Sequence, residues 1–434
     1  MIDNWDDIPT TKILHGDCMQ LLKTLPDCSI DAIVTDPPYG MSPDGIARTW
    51  ADIEEGRKLS GFMGKEWDAA VPCHNFFAEC LRVLKHGGHM IAFSSTRTVC
   101  ALGMAAQKGG FVIRDMIHWC YFSGFPKSHD ISKAIDREAG AVREVVGYKK
   151  LNPKDKKVYA PNLQAKYVCV SKEKNTSGLR SQEITKPATQ DAQKWAGFGT
   201  ALKPAVEPAL LLRKPLEKGL TIAQNVLNHG TGALNIDGCR FGYGDPCWVG
   251  DTSERKPMET KANPNAKHKN IDGRMQKNTS DLIIDNWSPQ GRWPANLYQC
   301  AKASRSEREE GLDHLETTKG FEAVHRKEGS AGLDNPRAGA GRTANEVRNI
   351  HPTVKPIKLM RWCCKLIGGQ KGSVILDPFT GSGTTGAAAL LEGFDFVGIE
   401  LTPEYLPIIE GRIDAARKQY KLENAQLSLF EDPI

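Results

Sequence analysis

The chain has 434 residues, of which 40% are hydrophobic and 25% charged, and this composition excludes wholesale disorder and a collagen-like repeat. Lys and Arg exceed Asp and Glu by 57 to 52, so the formal net charge of +5 permits an anionic partner without requiring one. No apolar run reaches the roughly eighteen residues that a membrane helix needs, and the acidic start does not resemble a signal peptide. We therefore expect a cytoplasmic protein without membrane contact.

The first 120 residues alternate short apolar runs with helical patterns, which is the βαβα rhythm of a parallel sheet. The predicted strands are Lys12–Leu14, Ile30–Thr35, His89–Ser94 and Phe111–Trp119. The predicted helices are Met19–Leu25, Asn75–Leu84 and Val99–Gln107. The twelve cysteines show no Cys-x-x-Cys pair or zinc-ligand spacing, so we expect reduced thiols and no metal.

The rhythm fails between about residues 140 and 345, where only islands such as Lys203–Arg213 and Ile222–Leu227 have a structured pattern. Residues 141–190 hold eleven Lys and Arg against four acidic residues. Solvated loops and a phosphate-contacting surface both have this composition. A long irregular insertion is more often a recognition surface or a lid than a second core.

The rhythm returns after His351. The predicted helices are Ile357–Ile367, Thr384–Glu392 and Pro403–Lys418, and the predicted strands are Ser373–Leu376 and Phe394–Ile399. Because neither end of the chain is large enough to be stable alone, we infer one α/β domain built from both. Its halves are residues 1–139 and 346–420, separated by an insertion at 140–345 and followed by a flexible tail at 421–434.

A glycine turn follows the strand at Ser373–Leu376 and opens a helix, so backbone can approach a ligand there. Gly381, Gly383 and Gly386 satisfy G-x-G-x-x-G, and the next strand ends in Glu400, where an acid can accept hydrogen bonds from ribose hydroxyls. A nicotinamide dinucleotide and S-adenosylmethionine both fit this spacing. Asp377 favours the second, because an anion at the turn would repel a pyrophosphate and suits a sulfonium ligand with an amino group.

The strand Ile30–Thr35 delivers Asp36-Pro37-Pro38-Tyr39 to the carboxyl end of the sheet, where α/β folds bind ligands. Two consecutive prolines fix the backbone and remove two amide hydrogens, so carbonyl oxygens there can face a ligand. A carboxylate, a carbonyl and an aromatic ring together make a site for a planar group that bears an amino donor.

These two segments together resemble the amino-group DNA methyltransferases of the permuted, beta-type order, in which the catalytic motif precedes the cofactor motif. Residues 12–135 and 350–418 carry the resemblance, and residues 195–230 are more loosely similar to phage-type members. It implies a Rossmann-like, S-adenosylmethionine-dependent sheet that acts on double-stranded DNA, as in restriction-modification systems. The catalytic residues that it implies are Asp36, Pro37, Pro38 and Tyr39.

His15-Gly16-Asp17 resembles the family's adenine-binding acid, and the run from His351 to Pro356 resembles the segment that helps hold the methionine end of the cofactor. The cofactor-binding residues implied by the resemblance are Asp17, Thr353, Lys355, Asp377, Phe379, Gly381, Ser382, Gly383, Thr384 and Glu400.

The resemblance predicts methylation of adenine N6, because Asp at position 36 is more typical of adenine enzymes, and it leaves cytosine N4 open. The target base should leave the duplex and stack on Tyr39. Ring-carbon methylation would need a cysteine nucleophile, for which Pro72-Cys73 and Pro246-Cys247 are poor candidates because neither ends a buried strand. Two hypotheses from different classes compete with methyl transfer: a DNA-binding protein with a degenerate methylase core, and a nicotinamide-dependent dehydrogenase, which would have no use for the Asp-Pro-Pro-Tyr segment.

Other expectations concern partners. The insertion should hold target-recognition elements, with Lys149–Lys157, Gly291–Asn296 and Ala338–Arg348 suited to DNA contact. The tail resembles peptides that dock on the bacterial replication sliding clamp, through Gln426, Leu427, Leu429 and Phe430. A homodimer and association with the nucleoid complete these expectations.

Overall fold

The computed structural model describes residues 8–40, 49–50, 68–124, 128–150, 181–242, 245–247, 291–319 and 346–428. Within these ranges no helix is both long and apolar enough to cross a membrane. The cysteines in the described ranges are free thiols. The same part of the chain holds no group of three or more His, Cys, Asp or Glu side chains arranged to hold a metal ion.

The strands are β1 (Thr11–His15), β2 (Ile30–Thr35), β3 (Leu84–Phe93), β4 (Val112–Cys120), β5 (Val145–Lys150), β6 (Ser181–Thr185), β7 (Val206–Arg213), β8 (Leu297–Gln299), β9 (Thr318–Lys319), β10 (Glu346–Val347), β11 (Val374–Asp377) and β12 (Asp395–Glu400). The α-helices are α1 (Cys18–Leu22), α2 (His74–Val83), α3 (Val99–Lys108), α4 (Ile131–Glu138), α5 (Gln190–Lys194), α6 (Ile222–His229), α7 (Arg305–Glu309), α8 (Ile357–Ile367), α9 (Thr384–Leu391) and α10 (Leu406–Ser428). Short 3-10 turns lie at Asp237–Cys239 and Pro403–Tyr405.

Eight strands form one central sheet in the order β1-β12-β11-β2-β3-β7-β4-β8. β1, β12, β11, β2 and β3 are parallel to one another, and β7 runs antiparallel between β3 and β4. The connection from β11 leads outward to β12, whereas the connection from β2 leads the other way to β3. The strand order therefore reverses between β11 and β2, and α/β sheets bind ligands in the crevice at such a reversal.

Helices cover both faces of the sheet. Side chains alternate along a strand, so Ala32 and Val34 of β2 pack on the face covered by α8, α9 and α10, while Ile33 packs on the face covered by α1, α2 and α3. The α/β class and the parallel sheet assembled from both ends of the chain are confirmed.

The predicted insertion at 140–345 contributes two strands to the central sheet. β7 lies inside it, and its run Ala209–Leu212 is buried between β3 and β4. β8, also inside it, pairs with β4 at the sheet edge. α10 continues without a break to Ser428, so it includes the first eight residues of the predicted tail at 421–434.

A small subdomain, residues 128–150 and 181–204, connects the end of β4 to the start of β7. Its centre is the buried Asp136 carboxylate, which accepts hydrogen bonds from Arg143 Nη1 at 2.5 Å and from the backbone N–H groups of Ala188 and Thr189, each at 3.0 Å. Trp195 and Phe198 form an exposed edge-to-face pair whose ring centroids are 5.0 Å apart. The end of β4 and the start of β7 lie at the same side of the sheet as the carboxyl end of β2. The subdomain between them therefore lies on the side of the sheet that holds the crevice.

Candidate active site

The two segments singled out in the sequence meet at the reversal of strand order. Thr35, the last residue of β2, donates a hydrogen bond from Oγ1 to Oδ1 of Asp377, the last residue of β11, at 2.6 Å. The Asp-Pro-Pro-Tyr turn and the glycine turn therefore start side by side, although they lie at opposite ends of the chain.

The glycine turn requires its glycines. Gly381 and Gly383 have φ angles of +55° and +77°, a region that L side chains rarely adopt. A Cβ on Gly381 would lie 2.9 Å from Nε2 of His351. Gly383 is the N-cap of α9, whose first backbone N–H groups have no partner within the helix. A ligand at the turn would therefore meet backbone rather than side chains.

Asp377 lies beneath this turn. The residue is 1% exposed, and its carboxylate accepts hydrogen bonds from Thr35 Oγ1, Thr385 Oγ1 and the backbone N–H of Phe379 at 2.6, 2.6 and 3.0 Å. Burial raises the pKa of Asp377 to about 6, although these hydrogen bonds favour the ionised form. These three hydrogen bonds join β2, β11 and α9 through Asp377. Its predicted contact with the cofactor stays a prediction.

Two acids stand at the ends of neighbouring strands beside the turn. Glu400 ends β12 and accepts hydrogen bonds from the backbone N–H groups of Gly381 and Thr402 at 2.7 and 2.8 Å. Asp17 follows β1, which pairs with β12, and caps α1. Burial raises the pKa of Glu400. Each carboxylate oxygen has a second lone pair, so Glu400 can still accept from ribose hydroxyls.

Arg412, which the sequence analysis missed, supports the turn from α10. It is buried, and its Nη1 donates to the carbonyl oxygen of Ser382 at 2.9 Å, to Ser382 Oγ at 3.0 Å and to Thr384 Oγ1 at 2.7 Å. Burial lowers the pKa of Arg412 to about 10, so the guanidinium is charged at neutral pH. The sequence did offer a signal for this role: Arg412 lies on the same face of the predicted helix as the apolar Ile409 and Ile413, so its charge had to be buried and paired.

Aromatic side chains flank the glycine turn on two sides. The buried His351 ring bonds through Nδ1 to the carbonyl oxygen of Thr353 and meets Tyr405 edge-on at 4.7 Å. Burial lowers the pKa of His351 to about 3, so the ring is neutral and donates to that carbonyl. Phe379 packs against Phe76 with ring centroids 5.1 Å apart. The crevice therefore has apolar walls next to its acids.

The Asp-Pro-Pro-Tyr segment forms a rigid turn. Pro37 and Pro38 are buried, and the backbone N–H of Tyr39 donates to Asp68 Oδ1 at 2.6 Å. Gly40 has a φ of +59°, and a Cβ there would lie 2.8 Å from a backbone nitrogen. The prolines and this close approach together fix where Asp36 points.

The two carboxylate oxygens of Asp36 differ. Oδ2 accepts a hydrogen bond from Lys355 Nζ at 2.5 Å. Oδ1 is buried and accepts no hydrogen bond from any residue that the structure describes. Leaving a buried acceptor unpaired costs about 1–3 kcal/mol. The free oxygen therefore marks a place for a donor supplied by a ligand.

Lys355 lies against the catalytic turn. It is 7% exposed, and its Nζ contacts Tyr39 Oη at 3.0 Å and Glu207 Oε2 at 3.5 Å in addition to Asp36. The resemblance implied that Lys355 helps hold the methionine end of the cofactor. It did not predict the contacts of Lys355 with Asp36 and Tyr39. Glu207, at the start of β7, was missed altogether because it lies in the predicted insertion and belongs to no motif.

The two Pro-Cys pairs do not form nucleophilic sites. Cys73 is buried at the start of α2. Cys247 is buried beside Gln299, and burial raises the pKa of its thiol to about 12. Because the thiolate is the nucleophile in ring-carbon methylation, a protonated buried thiol is unsuited to it.

Comparison with known proteins agrees with this geometry. The model of the N6/N4 DNA methylase family matches residues 30–411. The chain belongs to this family. It is 35% identical over 125 residues to the type II methyltransferase M.HinfI of Haemophilus influenzae, an alignment that covers 27% of this chain and 33% of that protein. It is 44% identical over 66 residues to the DNA adenine methyltransferase YhdJ of Escherichia coli strain K12, which covers 15% of this chain and 22% of that protein.

The alignments therefore span a third or less of these two relatives' own lengths. Among solved structures, the cytosine-N4-specific PvuII DNA methyltransferase is 13% identical, with 96% of each chain covered and a TM-score of 0.41. The family's cofactor is S-adenosylmethionine, and the site fits it. Glu400 can accept hydrogen bonds from the ribose hydroxyls of the cofactor. At the glycine turn the protein backbone can approach the cofactor closely, and apolar side chains flank both places.

The structure thus brings Asp36, Pro37, Pro38 and Tyr39 beside Asp377 and the glycine turn, with Glu400 next to it. The segment Gly291–Asn296, predicted to contact DNA, leads into β8, whose first residue Leu297 lies beside His118 near the carboxyl end of β4, and its contact with DNA stays a prediction. Lys149 and Lys150 lie in β5, and residues 151–157 and 338–345 lie outside the described ranges.

The predicted clamp-docking peptide is only partly covered. Gln426 and Leu427 lie in the last turn of α10, whereas Leu429 and Phe430 lie outside the described residues. Clamp docking, a homodimer, nucleoid association and the likeness to phage-type members stay predictions.

Proposed function

We propose that the chain transfers the methyl group of S-adenosylmethionine to the exocyclic amino group of a base in double-stranded DNA, with adenine N6 as the target. The observation that carries this proposal is the buried Oδ1 of Asp36, which accepts no hydrogen bond from the described residues, at the point where β2 meets the glycine turn. A carboxylate oxygen in that position is an acceptor for an amino N–H.

The residues of the chain overcome the poor nucleophilicity of the amino group. Its lone pair is conjugated into the ring of the base. Hydrogen bonds from its two N–H groups to Asp36 Oδ1 and to the Pro37 carbonyl favour a pyramidal nitrogen, which frees the lone pair for attack on the methyl group. Positive charge then develops on that nitrogen, so the carboxylate stabilises the transition state more than the ground state. Asp36 is also placed to accept the proton that the nitrogen loses.

S-Adenosylmethionine supplies the electrophilic methyl group when it is bound. The chain contributes Glu400 and Asp17 at the ribose and adenine end, and backbone of the turn at Gly381 to Gly383. Because the acceptor nitrogen itself attacks, no covalent intermediate with the protein is required.

The target base must leave the duplex, because its amino group is paired inside it. Tyr39 offers a ring next to Asp36, and its hydroxyl is fixed by Lys355 at 3.0 Å and Glu207 at 3.3 Å. The subdomain with Trp195 and Phe198 rises on the same edge of the sheet. We assign DNA contact to this subdomain, since exposed aromatic side chains stack on bases.

Adenine is favoured over cytosine by Asp rather than Ser at position 36, which the resemblance associates with adenine enzymes, and by the similarity to an adenine methyltransferase. Cytosine N4 is the second candidate because the same acceptors serve its amino group.

The test is transfer of labelled methyl from S-adenosylmethionine to unmethylated duplex DNA by the unaltered chain and Asp36→Ala, followed by mass spectrometry of the digested nucleosides. We expect N6-methyladenine from the unaltered chain only. N4-methylcytosine would replace the adenine assignment, and binding of the cofactor without transfer to DNA would contradict the proposal.

A further inference from the structure

Glu207 and Lys355 form a buried charged cluster with the catalytic turn. Lys355 Nζ lies 2.5 Å from Asp36 Oδ2 and 3.5 Å from Glu207 Oε2. Tyr39 Oη donates to the same Glu207 oxygen at 3.3 Å, and Lys302 Nζ reaches Glu207 Oε1 at 3.1 Å. Groups from four distant parts of the chain therefore meet beside Asp36. The Asp-Pro-Pro-Tyr segment and the run from His351 to Pro356 supply two of these parts, and no sequence motif predicted the other two, Glu207 and Lys302.

Aromatic rings enclose the Lys355 ammonium. The ring centroids of Phe93, Tyr39 and Trp119 lie 5.1, 5.2 and 5.9 Å from its Nζ. Burial opposes the charged form of Lys355, but Asp36 and Glu207 outweigh burial and raise its pKa. Burial also opposes ionisation of Glu207, and the two lysines outweigh it and lower the pKa of Glu207. Both partners therefore stay ionised at neutral pH.

A buried ion pair adds little to stability, because the cost of removing two charges from water offsets their attraction. Its effect on neighbouring groups is larger, since charges interact more strongly where water is excluded. The neighbour here is the carboxylate to which the proposed function assigns the target amino group.

We propose that Glu207 is a positioning residue for methyl transfer, acting on Asp36 through Lys355; this inference rests on the proposed function. Lys355 occupies Oδ2 of Asp36, so the carboxylate cannot rotate and Oδ1 alone faces the target amino group. Glu207 holds Lys355 in that place, and its second contact fixes the hydroxyl of Tyr39, on which the base stacks.

Glu207 also sets the local charge. An ammonium beside Asp36 opposes the positive charge that develops on the target nitrogen. The formal charges of Asp36, Lys355 and Glu207 sum to −1, so Glu207 restores the negative potential that the transition state needs. Lys302 also contacts Glu207, but its side chain is 39% exposed against 7% for Lys355, so solvent screens its charge more strongly than that of Lys355.

The experiment compares Glu207→Gln and Lys355→Met with a matched control, Glu392→Gln. Glu392 is also a largely buried acid that pairs with two basic residues, Arg361 at 2.6 Å and Lys365 at 3.1 Å, but it lies at the end of α9, away from the catalytic turn. The measurements are the single-turnover rate of methyl transfer to duplex DNA and the dissociation constants of S-adenosylmethionine and of DNA.

We expect Glu207→Gln and Lys355→Met to lower the single-turnover rate about 100-fold, the size of a lost transition-state contact, while both dissociation constants change less than about threefold. Glu392→Gln should retain the rate. If Lys355 instead holds the methionine end of the cofactor, Lys355→Met weakens cofactor binding and overturns the inference. An unchanged rate in Glu207→Gln also overturns it, as does an equal loss in Glu392→Gln.

A second readout does not depend on activity. Trace acetylation of the unaltered chain, followed by mass spectrometry, should label Lys355 at least tenfold more slowly than the exposed Lys371, and Glu207→Gln should accelerate Lys355 labelling. Equal labelling in both proteins would refute the pairing. Absence of DNA methylation by the unaltered chain would refute the proposed function and, with it, the positioning role of Glu207. If the difference in labelling between the two proteins were still observed, only the pairing of Glu207 with Lys355 would be supported.

Discussion

At the scale of single residues, the site depends on backbone that glycine adopts more readily than any other residue. Gly381 combines a φ of +55° with a close approach to His351, so a side chain there meets both conformational strain and a steric clash. Its backbone N–H also donates to Glu400, and any shift of the turn would move the acid expected to contact ribose.

We therefore expect Gly381→Ala to weaken binding of S-adenosylmethionine about tenfold or more and to lower the melting temperature. Gly219→Ala is the matched control, because Gly219 has a φ of +88° and no atom within 4 Å of its added Cβ. The control carries the φ strain, about 1–2 kcal/mol, without the clash. Calorimetric titration of cofactor into both variants checks the prediction, and equal affinities would contradict it.

Asp377 makes stability depend on pH. Its folded-state pKa is raised from 3.8 to about 6, so between these values the folded state binds more protons than the unfolded state. Stability from this group is present below about pH 4 and is lost as pH rises through about 6, a change of about 3 kcal/mol. Asp377→Asn removes the titrating carboxyl group. The free energy of unfolding, measured with urea from pH 4 to 7, should therefore fall with pH in the unaltered chain relative to the variant. A constant difference between the two would refute it.

At the scale of elements, the sequence predicts the helices and strands of the two chain ends well, because each carries its own periodicity. Ile30–Thr35 and Ile357–Ile367 form the predicted strand and helix with the same bounds. β7 could not be assigned to the sheet, since its run Ala209–Leu212 has no local feature that specifies β3 and β4 as partners. Glu207 was missed for the same reason: its role depends on pairing across the fold.

Two exposed tryptophans are candidates for stacking on DNA bases. Trp195 lies in the subdomain beside the crevice, whereas one face of the Trp293 ring is covered by the Arg240 guanidinium, 5.3 Å from the ring centroid; the two residues are 49% and 64% exposed. We expect Trp195→Ala to weaken duplex DNA binding about tenfold, the loss of one stacking contact, with cofactor affinity unchanged. Trp293→Ala should bind DNA normally. Fluorescence anisotropy with labelled duplex checks both, and a larger loss in Trp293→Ala would reverse the assignment.

At the scale of the whole molecule, the two ends of the chain are interleaved rather than adjacent. β12 and β11 lie between β1 and β2, so removing residues 346–428 would expose both neighbouring strands. The sequence predicted a shared domain from the small size of each end, but it could not predict this order, because strand order depends on pairing between distant segments.

We expect residues 1–247 and 291–434, expressed separately, not to unfold cooperatively, because each contains unpaired strands of one sheet. Co-expressed, they should associate and bind S-adenosylmethionine. Thermal unfolding of each fragment and of the complex checks this, and a cooperative transition in either fragment alone would contradict an interleaved sheet.

The proposed methyl transfer depends on Asp36 Oδ1 accepting a hydrogen bond from the target amino group. The most direct measurement is the single-turnover rate of methyl transfer to duplex DNA by Asp36→Asn, with cofactor affinity measured in parallel. Because the amide keeps the shape and loses the charge, we expect the rate to fall at least about 100-fold with cofactor affinity unchanged. Transfer by Asp36→Asn at the rate of the unaltered chain would show that the carboxylate is not the acceptor.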